Sequence, residues 1–272
     1  MRLVPRITRE YRRSTTDWRG LLQRTKSEPI YKVTMGTPSV YVISLRRTSS
    51  RKRPTLQSLR TENVEFEISE AVDGLDPFDV QVMRRFAGKK KSSYLLPTQN
   101  WSKSYLLQLK HAHDVNKLRD AFLKKSLHER LRFGCYMSHV SVWQTLIDKS
   151  LPYAVILEDD VILVEGFLAK FSGLLEVLPA SWGLLYLNGS FRRLGAQLAP
   201  GIVQSRGGVG LFGYVISSRA VEHFLMNAAL RSDKAIDHMV DEEVLSGRVL
   251  AFHAEPPLLH LIPDLASTLA YV

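Results

Sequence analysis

This chain of 272 residues has a single cysteine, Cys135. That excludes an intramolecular disulfide, a zinc site built on several thiolates and a CxxC redox pair. A reducing, cytoplasmic compartment suits such a chain. No apolar run approaches the roughly 20 residues that a bilayer-spanning helix needs. None of the eight histidines stands in an HExxH spacing. The glycine-rich stretch Gly207-Gly208-Val209-Gly210 has neither the P-loop spacing nor that of a dinucleotide-binding turn. It reads as a chain reversal or a close backbone approach. Acidic residues are in deficit: 27 Asp+Glu against 37 Lys+Arg leave +10. Such an excess points to an anionic partner, whether nucleic acid, a membrane surface or a phosphorylated ligand.

What is present is ordinary for a globular protein, with 45% apolar and 24% charged residues. The length fits one large domain or two closely packed ones. Residues 1–35 read as a basic extension, rich in Arg and Ser/Thr, that offers a contact to an anionic surface. It lacks the apolar stretch of a secretory signal, and Glu10, Asp17 and Glu28 set it apart from an organelle transit peptide.

From residue 36 to 272 strands and helices alternate, which predicts an α/β fold with a mainly parallel sheet. Strands are expected over 40–45, 64–68, 153–157, 184–187, 214–217 and 249–252. Helices are expected over 54–60, 104–125, 135–149, 167–178, 219–229 (capped by Ser218) and 237–245. An exposed loop is expected at 89–93. No internal repeat is visible.

The most informative tripeptide is Glu158-Asp159-Asp160, at the end of a strongly apolar run. Three adjacent carboxylates repel one another and need a compensating cation. If strand geometry persists, Glu158 and Asp160 share one side and Asp159 takes the other. Hard carboxylate oxygens suit Mg²⁺ or Mn²⁺, and α/β folds bind ligands beyond the carboxyl ends of strands. A solvated acidic turn is the alternative. The cationic stretch Arg46, Arg47, Arg51, Lys52, Arg53 offers contacts to a diphosphate or carboxylate, or simply a solvated helix surface. Cys135 has no evident partner base and reads as a small packed hydrophobe.

The segments VYVISLRRTSSRKR, EFEISEAVDG, RFGCYMSHVSVWQTLI, YAVILEDDVIL and GLFGYVISSRAVEHFL, followed by a Pro-Pro pair, occur in that order. Together they resemble family 25 of the glycosyltransferases, from about residue 40 to the C-terminus. The resemblance implies a GT-A-type domain over 36–272, a UDP-hexose donor (galactose or glucose), a divalent cation (Mn²⁺ or Mg²⁺), a glycan or other hydroxyl acceptor, and inversion at the sugar carbon. It implies metal ligands at Glu158 and Asp160, with Asp159 between them, and a late ligand at His260, for which His253 competes. It implies donor contacts at Ser44, Leu45, Arg51, Asp73, Ser138, His139 and Asp159. It makes Asp237 the general base, with Asp241 and Glu242 as competitors and a helix N-cap as the structural alternative. A basic module that binds nucleic acid or an anionic surface without catalysis is the other reading. Against it, the basic residues lack interleaved aromatics and no zinc-finger or bZIP pattern is present.

Overall fold

The computed structural model describes residues 38–48, 50–75, 126–189, 192–228 and 234–262. The basic extension, the loop expected at 89–93 and the helix expected over 104–125 lie outside them. The chain opens with β1 (Val40–Ser44), α1 (Arg53–Thr61) and β2 (Glu67–Glu70). Then come α2 (Leu127–Asp148), β3 (Tyr153–Glu158), β4 (Val161–Leu163) and α3 (Phe167–Val177). A run of strands follows: β5 (Leu184–Tyr186), β6 (Arg192–Ala199), β7 (Ile202–Gly208) and β8 (Gly213–Ser217). The chain continues through α4 (Ser218–His223), α5 (Ile236–Leu245), β9 (Ala251–Ala254) and β10 (Leu259–Leu261).

Eight strands form one sheet in the order β2-β1-β3-β8-β5-β9-β7-β6, and β4 pairs with β10 in a small second sheet. The main sheet is mixed, which corrects the expectation of a mainly parallel one. β1 pairs parallel with β2 and β3, and β5 with β9, but β8 runs antiparallel to both β3 and β5, and β7 to both β6 and β9. The reason lies between β5 and β8, where no crossover helix returns the chain to its starting side. A β6–β7 hairpin stands there instead. Its outer strand reads RRLGAQLA and is largely exposed, so it carries no alternating apolar signal.

Strand alternation divides the core into two layers. Tyr41, Ile43, Ala154, Ile156, Tyr186, Tyr214 and Ile216 meet α2, α4 and α5 on one face. Val42, Val155, Leu157, Leu185, Val215 and Phe252 meet α1 and α3 on the other. The sheet is thus covered on both sides, and its strands read as continuous apolar runs.

Two boundaries differ from expectation for local reasons. α2 starts at Leu127, well before residue 135, because Ser126 and Glu129 form a reciprocal capping box. The cap of α4 is Ser217, whose hydroxyl accepts from the Ala220 N–H at 3.2 Å, and not Ser218. The helix then continues as a π-helical turn over Phe224–Ala228.

His253 of β9 is buried and stacks on Tyr186, with ring centroids 4.8 Å apart. Burial first, then the Arg192 charge, lowers its pKa to about 4. The unfolded chain therefore binds a proton between about pH 6.5 and 4 that the folded chain refuses. Stability is retained above that window and lost as pH falls through it, by about 3 kcal/mol for this group. His253→Phe keeps the stack and removes the titration. Urea unfolding at several pH values is expected to show a smaller acid loss in this variant than in wild type; equal slopes would contradict the assignment.

Candidate active site

The parallel pair β1–β3 places Ile43 beside Glu158, and antiparallel β8 enters the sheet at the same end, where the Glu158 N–H donates to the Phe212 carbonyl at 2.8 Å. The carboxyl ends of two strands and the loop feeding a third thus border one cleft of about 1170 Å³. Glu158, Asp159, Asp160, Arg51, Asp73, His139 and Asp237 all line it.

β3 ends at Glu158, and Asp159 and Asp160 lie in the turn that follows. Strand alternation therefore stops at Glu158 and does not fix the sides that Asp159 and Asp160 take, while the charge of Glu158 still acts on Asp160. Asp159 and Asp160 share the Arg51 guanidinium: Nε lies 3.0 Å from Asp159 Oδ1 and Nη2 2.5 Å from Asp160 Oδ2. Ser44, at the end of β1, donates its hydroxyl to Asp159 Oδ2 at 2.8 Å. Burial raises the pKa of Asp159 against the pull of Ser44 and Arg51. Burial, and then the charge of Glu158, raise that of Asp160 to about 6.

The remaining oxygen, Asp160 Oδ1, is buried and accepts no hydrogen bond from a described residue. A buried carboxylate oxygen without a donor is costly unless a cation meets it. The residues present fit a hard divalent ion on this observation.

Glu158 faces a different network. An indole N–H only donates, so Tyr214 accepts from Trp143 Nε1 at 2.9 Å. The Tyr214 hydroxyl lies 2.9 Å from His139 Nδ1. His139 Nε2 lies 3.4 Å from Glu158 Oε1. Cys135, His139 and Glu158 have candidate ligand atoms within 4.8 Å of one another. These three side chains form a second candidate cation site. Burial, with Glu158 and Asp237 adding to it, raises the Cys135 thiol's pKa and keeps it protonated. The protonated thiol weighs against that trio, and the buried Asp160 Oδ1 favours the acidic turn.

Two expected donor contacts have structural work. Ser138 accepts from the Val72 N–H at 2.9 Å and donates to the Gly134 carbonyl at 2.7 Å. It fixes the Ala71–Gly74 loop against α2, where a Cβ on Gly74 would sit 2.2 Å from the Arg130 carbonyl oxygen and one on Gly134 2.6 Å from that of Val72. Asp73 lines the cleft on this loop, paired with Arg47 at 2.5 Å and accepting from the Leu75 N–H. Leu45 lines the cleft after β1.

Asp237 lies in the first turn of α5, and the cap position belongs to Ala235. The N-cap alternative for Asp237 is thereby corrected. Its Oδ1 accepts from the His238 N–H at 2.8 Å and its Oδ2 from the Gly210 N–H at 3.4 Å. Its competitors Asp241 and Glu242 line the same cleft and have partners of their own. Asp241 is buried, accepting from the Gly208 N–H at 2.8 Å and from Arg193 at 2.6 Å, while Glu242 pairs with Lys234.

His260 is not brought to the acidic turn. It is exposed on β10 opposite Ile162, while its neighbours Leu261 and Ile262 line the cleft. Alternation along β10 turns His260 away, so it is not retained as a ligand. His253 lies in the core against Tyr186 and also does not line the cleft. The sequence reading missed Tyr214 and the union of Arg51 with both aspartates. The tyrosine of GYVIS was the available signal for the first; the second had none.

Residues 37–193 match the family described as Glycosyltransferase family 25 (LPS biosynthesis protein). The chain belongs to glycosyltransferase family 25. Procollagen galactosyltransferase 2 of Mus musculus is 28% identical over 162 residues, covering 58% of this chain and 22% of that protein. Lacto-N-neotetraose biosynthesis glycosyltransferase LgtB of Neisseria gonorrhoeae is 33% identical over 122 residues, covering 40% of this chain and 43% of that protein. Inactive glycosyltransferase 25 family member 3 of Mus musculus is 24% identical over 213 residues, covering 76% of this chain and 32% of that protein. The chain thus spans less than half the length of each of these relatives. The family-25 match contains Ser44, Arg51, Asp73, Ser138, His139 and the acidic turn, and stops before Tyr214 and Asp237. No helix among the described residues is long and apolar enough to cross a membrane.

Proposed function

We propose that this protein is a GT-A-type enzyme that moves a hexose, galactose or glucose, from a UDP-sugar to a hydroxyl of a glycan or other acceptor, with inversion and with a divalent cation. The reading rests on one observation above others. An acidic turn with a buried carboxylate oxygen that has no donor among the described residues stands in a cleft of about 1170 Å³. Small-molecule sites typically occupy roughly 300–1,000 Å³, so donor and acceptor have room. The galactosyltransferase relatives agree with a hexosyl donor.

Asp160 and Glu158 would hold Mn²⁺ or Mg²⁺, which neutralises charge on the departing diphosphate. Asp159, tied to Ser44 and Arg51, keeps the turn in shape. Asp237 takes the proton of the acceptor hydroxyl as the new bond forms, on the face away from the leaving group. Asp237 stands in the first turn of α5, whose end attracts negative charge. Asp237 and Glu158 both act on Cys135, so base and acidic turn border the same stretch of cleft. His139, 3.4 Å from Glu158, stands beside that carboxylate in the cleft. The +10 charge remains suited to an anionic donor or an anionic surface.

Screening UDP-sugars for metal-dependent thermal stabilisation tests this reading. A ligand at one hundred times its Kd stabilises the folded state by about 2.7 kcal/mol. A rise in Tm is expected with UDP-galactose or UDP-glucose plus Mn²⁺, and not with EDTA. No shift with any UDP-sugar and any divalent ion would contradict it.

A further inference from the structure

The acidic turn already holds a cation. Arg51 is largely buried, with 13% of its side chain exposed, and its guanidinium spans Asp159 and Asp160. It engages Asp160 through Oδ2, which leaves the buried Oδ1 without a donor among the described residues. One carboxylate thus carries a fixed positive charge on one oxygen and a vacant acceptor on the other. Any divalent ion that reaches Oδ1 sits across the same carboxylate from a guanidinium. In a site screened from water that repulsion is strong.

Charge arithmetic gives the consequence. Three carboxylates and one guanidinium leave the turn at −2, whereas without Arg51 it would stand at −3. A free divalent ion is attracted less with the arginine than without it. A diphosphate reverses the balance, because its negative charge is drawn by the ion and the guanidinium together.

We propose that Arg51 is a coupling residue. It holds down the affinity of the acidic turn for a free divalent ion and makes ion and diphosphate bind in mutual dependence. This rests on the metal-dependent reading of the site given above. In thermodynamic form, the ratio of ion affinity with diphosphate to that without it is the coupling, and it is reciprocal. Arg51 raises this ratio from both sides, by weakening the ion alone and strengthening the diphosphate once the ion is present.

The test is Mn²⁺ binding by calorimetry, and by electron paramagnetic resonance of free Mn²⁺, with and without UDP. It uses wild type, Arg51→Gln and Arg51→Lys at pH 7.5. Arg51→Gln is expected to bind Mn²⁺ alone at least ten-fold tighter than wild type. Its gain in Mn²⁺ affinity on adding UDP should shrink at least ten-fold. Arg51→Lys keeps the charge on a flexible stem and should lie between the two; it carries the test if the Gln variant does not fold. Mn²⁺ affinity without UDP that is unchanged or weaker in both variants overturns the coupling role while leaving the metal site standing. Absence of Mn²⁺ binding to wild type, with or without UDP, overturns the metal-dependent reading and this inference with it.

Discussion

Asp160→Asn is expected to lose Mn²⁺-dependent UDP-sugar binding and transfer while remaining folded and becoming no less stable. The substitution keeps the shape of the side chain and removes a charge from the oxygen proposed to meet the ion. Loss of groups that merely orient a metal ligand costs about 10–100-fold, so loss of the ligand charge itself should exceed about 100-fold in turnover. Stability moves the other way. Burial and Glu158 raise the Asp160 pKa to about 6. A carboxyl raised in the fold binds its proton more tightly when folded than when unfolded, so ionisation costs stability. That cost sets in as pH climbs from about 4 through 6, and it is fully present at neutral pH. An amide never ionises, so Tm at pH 7.5 should hold or rise. Calorimetry with and without UDP-sugar, beside a transfer assay, checks both arms. Near-wild-type turnover with Mn²⁺ would remove Asp160 from the metal site.

Asp237→Asn is the second large effect. A general base contributes about 10²–10⁴-fold, and kcat should fall by that much while UDP-sugar affinity stays within a few-fold. The stability effect should be small. Asp237 is not the cap of α5, and an amide oxygen can still accept from the Gly210 or His238 N–H. What is lost is the attraction of a charge to the helix N-terminus, about 0.3–1 kcal/mol. Asp241→Asn makes the contrast. Its carboxylate is buried between Arg193 and the Gly208 N–H, so that variant should lose stability first. Normal kcat in Asp237→Asn would place the base elsewhere along the cleft.

The sequence disclosed the parts of this architecture that local pattern encodes. The apolar runs of β1, β3, β5 and β8 mark strands covered on both faces, and the amphipathic spacing of α3 marks a surface helix. A triple carboxylate at the end of β3 could be placed at a ligand-binding edge without coordinates. Strand direction was not legible, since alternation of helices and strands does not show that β8 is entered from a polar hairpin. Nor were contacts between distant residues. Arg51 and Asp160 are 109 positions apart, and Ser44 and Asp159 115, and no local pattern links them. The division of carboxylates around Arg51 depends on where β3 stops, and a terminal residue of a strand is the least predictable part of it. His260 shows the same limit: proximity in sequence to a Pro-Pro turn says nothing about which face of β10 it occupies.

Release of UDP from UDP-galactose or UDP-glucose, followed with Mn²⁺, with EDTA and with the Asp160→Asn protein, tests the central claim most directly. UDP release that requires Mn²⁺ and disappears in Asp160→Asn is the result this account predicts. Release that is indifferent to EDTA, or no release and no binding from either donor with any divalent ion, would contradict it.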